Sequence, residues 1–126
     1  MKDIKILSAR LTIRPRTAGE LETLRENESD GEMKKAYGEM IDTMRALPGK
    51  EEWGSDWAIE LDGQEIGGIG FKGVPDADGK VEIGYGIDEA FRRKGYAAEA
   101  VGAMIKWAFE QGGVLCVQAQ TEPDNE

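Results

Sequence analysis

Three consecutive cations and a glycine, Arg92-Arg93-Lys94-Gly95, stand between a strand-like run (Val81 to Asp88) and a helix-like run (Ala97 to Gln111). A helix N-terminus carries partial positive charge, so a cation placed there costs about 0.3–1 kcal/mol. A chain with 25 acidic and 16 basic side chains nevertheless puts three cations at that point. The arrangement makes physical sense when an anion occupies the site. Free backbone N–H groups at a helix start, a permissive glycine and flanking cations together form a phosphate cradle; a solvated basic turn is the competing account.

Acid–base chemistry is constrained by what is missing. The chain has no histidine, which excludes His-based triads and His metal sites and leaves Asp, Glu, Tyr, Lys, a terminus or a bound water as general base. The single Cys116 excludes an internal disulfide and a Cys-based metal cluster. It lies in an apolar run, so a buried, inert thiol is expected.

The elements that must position the loop can be read from hydrophobic period and turn residues. Ile4 to Arg14 reads as one strand ended by Pro15. Thr17 with Glu20 predicts an N-cap for a short helix holding Leu21 and Leu24. Ser29 or Asp30 caps a second helix, with Met33, Tyr37, Met40, Met44 and Leu47 on one face, stopped by Pro48-Gly49. Trp57 to Leu61 and Glu65 to Phe71 flank Asp62-Gly63, a hairpin signal, and Asp78-Gly79 turns the chain into Lys80 to Asp88. This predicts a three-stranded antiparallel meander. Its centre is rich in glycine (Gly67, Gly68, Gly70, Gly84, Gly86), which in a strand marks a bulge or the close approach of another backbone or a ligand. The last helix puts Ala97, Ala100, Val101, Met104, Ile105 and Ala108 on one face and ends at Gly112-Gly113. Val114 to Thr121 follows as a strand, reached by a crossover and therefore parallel to the glycine-rich one.

At 126 residues the chain is expected to be one domain, residues 1–126, with one core. A net charge of −9 argues against general nucleic-acid binding, which wants a basic surface. No apolar run approaches the ~18 residues of a membrane span, and Met1-Lys2-Asp3-Ile4 has no signal-peptide pattern. The expected location is the cytoplasm.

The order of elements, with Arg92-Arg93-Lys94-Gly95-Tyr96-Ala97 after Val81 to Ile87 and Thr121-Glu122-Pro123-Asp124-Asn125 downstream, resembles the GNAT superfamily of N-acetyltransferases. The six residues match that family's Gln/Arg-x-x-Gly-x-Gly/Ala acetyl-CoA signature. The stretch from Leu11 to Asn125 looks like the subgroup that acetylates protein N-termini, small amines and antibiotics. The resemblance implies an α/β (α+β) fold, a mixed, mainly antiparallel sheet flanked by helices. The family pattern runs on past the Asn125 position with a further helix and two strands, so a fold lacking those last elements is expected.

The resemblance also implies roles. Backbone N–H groups of Arg93, Lys94, Gly95, Tyr96 and Ala97 would bind the pyrophosphate of coenzyme A, with charge added by Arg92 and Lys94. The main chain of Tyr85 and Ile87 would pair with the pantetheine arm, between strands that splay apart. A backbone N–H near Ile87 would polarise the thioester carbonyl. Asn125 matches a position that contacts the cofactor or the reaction centre. The implied reaction is transfer of acetyl from acetyl-CoA to a primary amine by direct attack in a ternary complex. The amine's proton would leave through water, with Glu82 as first candidate base; an ordinary exposed strand glutamate is the alternative. The family's helical tyrosine, which protonates the leaving thiolate, has Tyr85 and Tyr96 as its nearest replacements, or water.

Trp53, Trp57, Tyr37 and the second-helix methionines are candidates for an acceptor pocket, with core packing as the other account. Glu20, Glu22, Glu26, Glu28, Asp30 and Glu32 would suit a cationic acceptor; a solvated helical face explains them equally well. The expected acceptor is a small-molecule or protein amine. An apolar last strand at the sheet edge would recruit a second copy, giving a homodimer. The alternatives to an enzyme are a catalytically silent acyl-CoA-binding module, a fragment that needs a partner chain, and an interaction protein that keeps the fold without coenzyme A.

Overall fold

Asp62 and Gly63 both take left-handed φ values, 51° and 83°, the geometry of a primed two-residue hairpin turn whose twist matches that of the strands it joins. The turn links β3 (Trp57–Leu61) to β4 (Gln64–Phe71), and a second turn leads to β5 (Lys80–Ile87). The computed structural model describes residues 4–120. Around the meander the order is β1 (Ile6–Leu7), β2 (Thr12–Pro15), α1 (Ala18–Asn27), α2 (Gly31–Arg45), then β3, β4 and β5, α3 (Tyr96–Glu110) and β6 (Cys116–Gln120). The six strands form one sheet in sequence order, antiparallel except for the parallel β5–β6 pair. That is the mixed, mainly antiparallel sheet with helices expected from the sequence.

One expected strand is two. Ser8 to Leu11 turns the chain, with the Ser8 N–H donating to the Leu11 carbonyl at 2.9 Å and the Leu11 N–H to Ser8 Oγ at 3.2 Å. Ile6 therefore faces Ile13 in an antiparallel pair. The apolar alternation changes phase at Ile6-Leu7, from Ile4 and Ile6 to Leu11 and Ile13, a break that the single-strand reading passed over. The capping box at Thr17 and Glu20 forms as read, and Asp30 caps α2 through the Glu32 N–H.

The core lies between α3 and one face of the sheet. Ala97, Ala100, Met104 and Ala108 pack against Trp57, Ile59, Ile69 and Ile83. Trp53 (6% exposed) and Trp57 (0%) belong to this core, which corrects their candidacy for an acceptor pocket. Trp53, Phe71 and Trp107 have ring centroids 5.0–5.9 Å apart, contacts that add about 0.5–1.5 kcal/mol each beyond area burial. A second cluster, Leu21, Ile41 and Met44, joins α1 to α2. Ile41 takes the core position, and Met33, Tyr37 and Met40 are left more open on the same helix. Cys116 is exposed rather than buried, as is Leu115 at 78%. Val114 alone of this run is sealed into the core, because β6 is the last strand in the sheet order. Among the described residues, no helix is long and apolar enough to cross a membrane.

Candidate functional site

The chain leaves β5 with Asp88 donating its N–H to the Ile66 carbonyl at 2.7 Å, and one turn of 3-10 helix (Glu89–Phe91) follows. Arg92 is extended, and its Nε donates to the Ile87 carbonyl at 2.8 Å. Arg93 then adopts φ 65° and Gly95 φ 82°. For a non-glycine residue the left-handed region costs about 1–2 kcal/mol, so Arg93 is held there by its surroundings. Left-handed residues in such a turn gather successive N–H groups into a concave anion site. Gly95 occupies the N-cap of α3, a 15-residue helix, and offers no side-chain cap. The first-turn N–H groups are thereby left to an external acceptor. Arg92, Arg93 and Lys94 are all exposed around this loop.

The loop is braced from the far end of the sequence. Arg10 Nη1 donates to the Lys94 carbonyl at 3.1 Å, its Nε to Glu99 Oε1 at 2.7 Å, and its guanidinium lies 4.5 Å from the Tyr96 ring centroid. Ser8 Oγ and the Arg10 N–H donate to the other Glu99 oxygen. Burial pushes the Glu99 carboxyl up, but these donors together outweigh it and hold the group below its usual range. Neither Ser8 nor Arg10 was a sequence-level candidate, and no local spacing marks them.

A cleft of about 1200 Å³ opens beside this loop. Its floor is the glycine face of β4 and β5, where Gly68 pairs with Gly86 and Gly70 with Gly84. Alternation along the strands puts these glycines opposite the core-facing Ile69 and Ile83. Its wall is α2, through Met33, Tyr37 and Met40, and Tyr85, Ile87 and Arg92 close the end next to the loop. Among the described residues the β5–β6 register runs from Lys80↔Cys116 to Gly84↔Gln120, and Tyr85, Gly86 and Ile87 line the cleft.

Over the β4 side of the floor lies a charged group that the sequence reading missed. Asp56 precedes β3 and folds over β4. A Cβ added at Gly68 would lie 2.7 Å from one Asp56 carboxylate oxygen and 2.8 Å from the other, and one at Gly70 would collide with the Ser55 carbonyl. Gly67, where an added Cβ would collide with the Gly86 carbonyl oxygen, joins Gly68 and Gly70 as the close approaches that the glycine cluster announced. The Arg16 guanidinium is ion-paired with Asp56 through Nη1 and with Glu65 through Nη2 at 3.2 Å. Burial pushes the Asp56 carboxyl up to about 6, and Glu65 adds to the shift against the opposing pull of Arg16. Burial, then the Asp56 charge, also raises the Tyr37 phenol above its usual range. The only local hint was Asp56 standing between Ser55 and the core residue Trp57.

The other sequence candidates fall as follows. Tyr85, Ile87 and Arg92 line the cleft; Arg93, Lys94 and Gly95 form the exposed loop; and Tyr96 and Ala97 open α3, half-buried and buried respectively. Glu82 is on β5 beside Lys72 (3.8 Å) and is not part of the cleft lining. Asn125 lies outside the described residues. The arrangement can hold an elongated ligand with an anionic end on the loop and its body along β5. A second, polar molecule can reach it from the Asp56 side.

Residues 10–126 match the family model described as an acetyltransferase (GNAT) domain. Two uncharacterised N-acetyltransferases of Bacillus subtilis are similar in sequence. YjdG is 43% identical over 68 residues, 53% of this chain and 40% of that protein. YoaA is 36% identical over 89 residues, 69% and 50% respectively. The chain thus spans about half the length, or less, of these curated relatives. Among solved structures, the Salmonella typhimurium acetyltransferase that modifies the N-terminal serine of a 50S ribosomal subunit protein superposes with a TM-score of 0.72 at 15% identity, over 98% of this chain and 78% of that one. The coenzyme A complex of RimL, a ribosomal α-N-protein acetyltransferase, gives 0.64 at 17% identity, over 88% and 71%. At such identities these two carry the fold alone.

Proposed function

This chain belongs to the GNAT acetyltransferase family, and on that premise we propose that it moves an acetyl group from acetyl-CoA to a primary amine by direct attack in a ternary complex. The observation that carries the reading is continuity. The uncapped, cation-flanked start of α3 runs into the glycine-floored cleft through Arg92, which lines the cleft and holds the Ile87 carbonyl.

Acetyl-CoA supplies the activated acyl group, as a thioester. The residues present fit it: left-handed Arg93 and Gly95 shape a cradle for the pyrophosphate, with N–H groups from Arg93 to Ala97 as donors and Arg92 and Lys94 as counter-charge. The main chain of Tyr85 and Ile87 is the track for the pantetheine arm, and a backbone N–H near Ile87 is the donor to the carbonyl oxygen. Holding both substrates in the cleft supplies much of the rate. Glu82, the base candidate named from the sequence, stands outside the cleft lining beside Lys72, so only a chain of water would connect it to the amine. In assembly, the reading favours pairing at the outer edge of β6, beside exposed Leu115 and Cys116, with a second copy. A monomer by light scattering at micromolar concentration removes that part.

Calorimetry with acetyl-CoA and a thiol-release assay over a panel of amines test the function. Binding with turnover on at least one amine is expected. Binding without turnover on any amine leaves a silent acyl-CoA module, and no binding overturns the assignment.

A further inference from the structure

We propose that Asp56 is the residue that holds the acceptor's ammonium group in the cleft and takes its proton, with Arg16 and Glu65 as positioning residues. The inference rests on the acetyl-transfer reading and adds the acceptor side of the site to it.

Position is the first argument. The Asp56 carboxylate lies against Gly68, so closely that a methyl group there would displace it. Gly68 pairs with Gly86 on β5, and neighbouring strands are about 4.8 Å apart. The carboxylate therefore stands about one strand-spacing from the Tyr85–Ile87 segment. An added Cβ at Gly86 would meet nothing within 4 Å, so the floor between is open for a substrate.

Charge is the second. One guanidinium serves two carboxylates, so Asp56, Arg16 and Glu65 carry a net charge of −1 when both acids are ionised. The Asp56 side chain is 19% exposed and that of Arg16 9%, so water screens this excess poorly. Two things relieve it, a proton on Asp56 or a cation beside it, and an ammonium group supplies both in turn. The charged and titratable groups that face Asp56 are Arg16 after β2, Glu65 on β4 and Tyr37 on α2. Glu65 keeps 46% of its side-chain surface open, so solvent screens it better and the excess charge is felt at the more buried Asp56. Its position at about 6 suits a base that must be ionised at pH 7 and still accept a proton.

The proton balance is simple. The acceptor enters as R–NH3+; one N–H bond breaks, its proton goes to an Asp56 Oδ, and the electron pair stays on nitrogen. A cation and a carboxylate become a neutral amine and a neutral acid, leaving Arg16 paired with Glu65 alone. The proton passes to water once the amide has left, and the second N–H proton balances the released thiol.

The test uses the full chain and glycinamide as the amine probe. Carbonyl-labelled aspartate reports the Asp56 carboxyl by NMR as pH is varied. Saturating glycinamide is expected to lower its midpoint by about one unit or more, because a bound cation favours the ionised form; no movement overturns the proposal. Asp56→Asn is expected to keep acetyl-CoA affinity within about twofold, to lose about 10²–10⁴ in thiol-release rate, and to lose the acidic limb of the kcat/KM profile. A full rate with that limb intact, or the loss appearing in Glu82→Gln instead, also overturns it. Gly68→Ala, which displaces the carboxylate without changing charge, should reproduce the rate loss in a chain whose thermal melt shows it folded. Failure of the acetyl-transfer reading shows separately, as absent acetyl-CoA binding in the parent chain, while the NMR titration still decides whether Asp56 binds an amine.

Discussion

Arg10 and Lys94 are 84 residues apart in sequence and joined by a 3.1 Å hydrogen bond from the Arg10 guanidinium to the Lys94 carbonyl. The turn between β1 and β2 thereby sets the shape of the loop that starts α3. The bond holds the Lys94 carbonyl, and the cation–π contact with Tyr96 and the pair with Glu99 tie Arg10 to the first turn of the helix. Arg10→Ala should therefore weaken acetyl-CoA binding without touching the ligand. A hydrogen bond to a charged donor and one cation–π contact together are worth roughly 1–2 kcal/mol after solvent screening. Calorimetry should read about a tenfold loss of affinity, and unchanged affinity would mean that the loop holds its shape unaided.

Arg92→Glu combined with Lys94→Glu should abolish acetyl-CoA binding. Reversing two charges turns the attractive surround of the anion site repulsive while leaving the left-handed positions at Arg93 and Gly95 in place. In the parent chain, affinity should fall steadily as salt rises and the Debye length shortens. Binding by the double variant at parental strength removes the basis for placing the pyrophosphate at this loop.

Gly68→Ala should destabilise the fold as well as the site. The added methyl meets both Asp56 carboxylate oxygens under 3 Å, and forced overpacking costs about 1–3 kcal/mol. Chemical denaturation should show a lower midpoint at an unchanged slope. A neutral result would show that the segment carrying Asp56 yields easily.

Stability should fall as pH rises through the range set by Asp56. Its carboxyl is at about 6 in the fold against an ordinary value of 3.8, because burial outweighs Arg16. The folded state then binds more protons than the unfolded one between those limits, so ionisation costs stability from 3.8 to about 6 and the cost stays constant above. Two pKa units correspond to roughly 3 kcal/mol. Asp56→Asn should be more stable than the parent at pH 7.5 and level with it near pH 4. Glu99 has the opposite sign: held below its ordinary 4.5 by Ser8 and Arg10, it contributes above that pH and loses the contribution as pH falls. Glu99→Gln should cost stability at pH 7 and progressively less as pH falls below 4.5. Urea midpoints measured across this pH range check both.

Local rules carried much of the architecture because their causes are local. The Thr17–Glu20 capping box, the Asp62-Gly63 turn, and the apolar faces of α1 and α3 each depend on residues within a few positions of one another. The loop from Arg92 to Ala97 was legible for the same reason: cations, glycine and helix start are contiguous. The single-strand reading failed at Ser8, where a tight turn joins β1 to β2; the change of phase at Ile6-Leu7 was its one local mark. Period also failed to sort the aromatic residues. Trp53 is sealed by Phe71 and Trp107, whereas Tyr37 is left in the cleft, and both are plausible pocket residues by type.

The sequence by itself determined the element order from α1 onward, the cation–glycine loop and the glycine strip, because short-range sterics, helix capping and strand period act between neighbours. Tertiary structure alone decided what faces that strip. Asp56 meets Gly68 because β3 and β4 pair with Ala58 opposite Gly68, Arg16 reaches Asp56 and Glu65 because β2 lies beside β3, and Arg10 meets Lys94 because the β1–β2 turn packs on α3. Each contact spans a chain separation that no propensity encodes. The raised Asp56 carboxyl follows from the desolvation that such packing imposes on an otherwise ordinary aspartate.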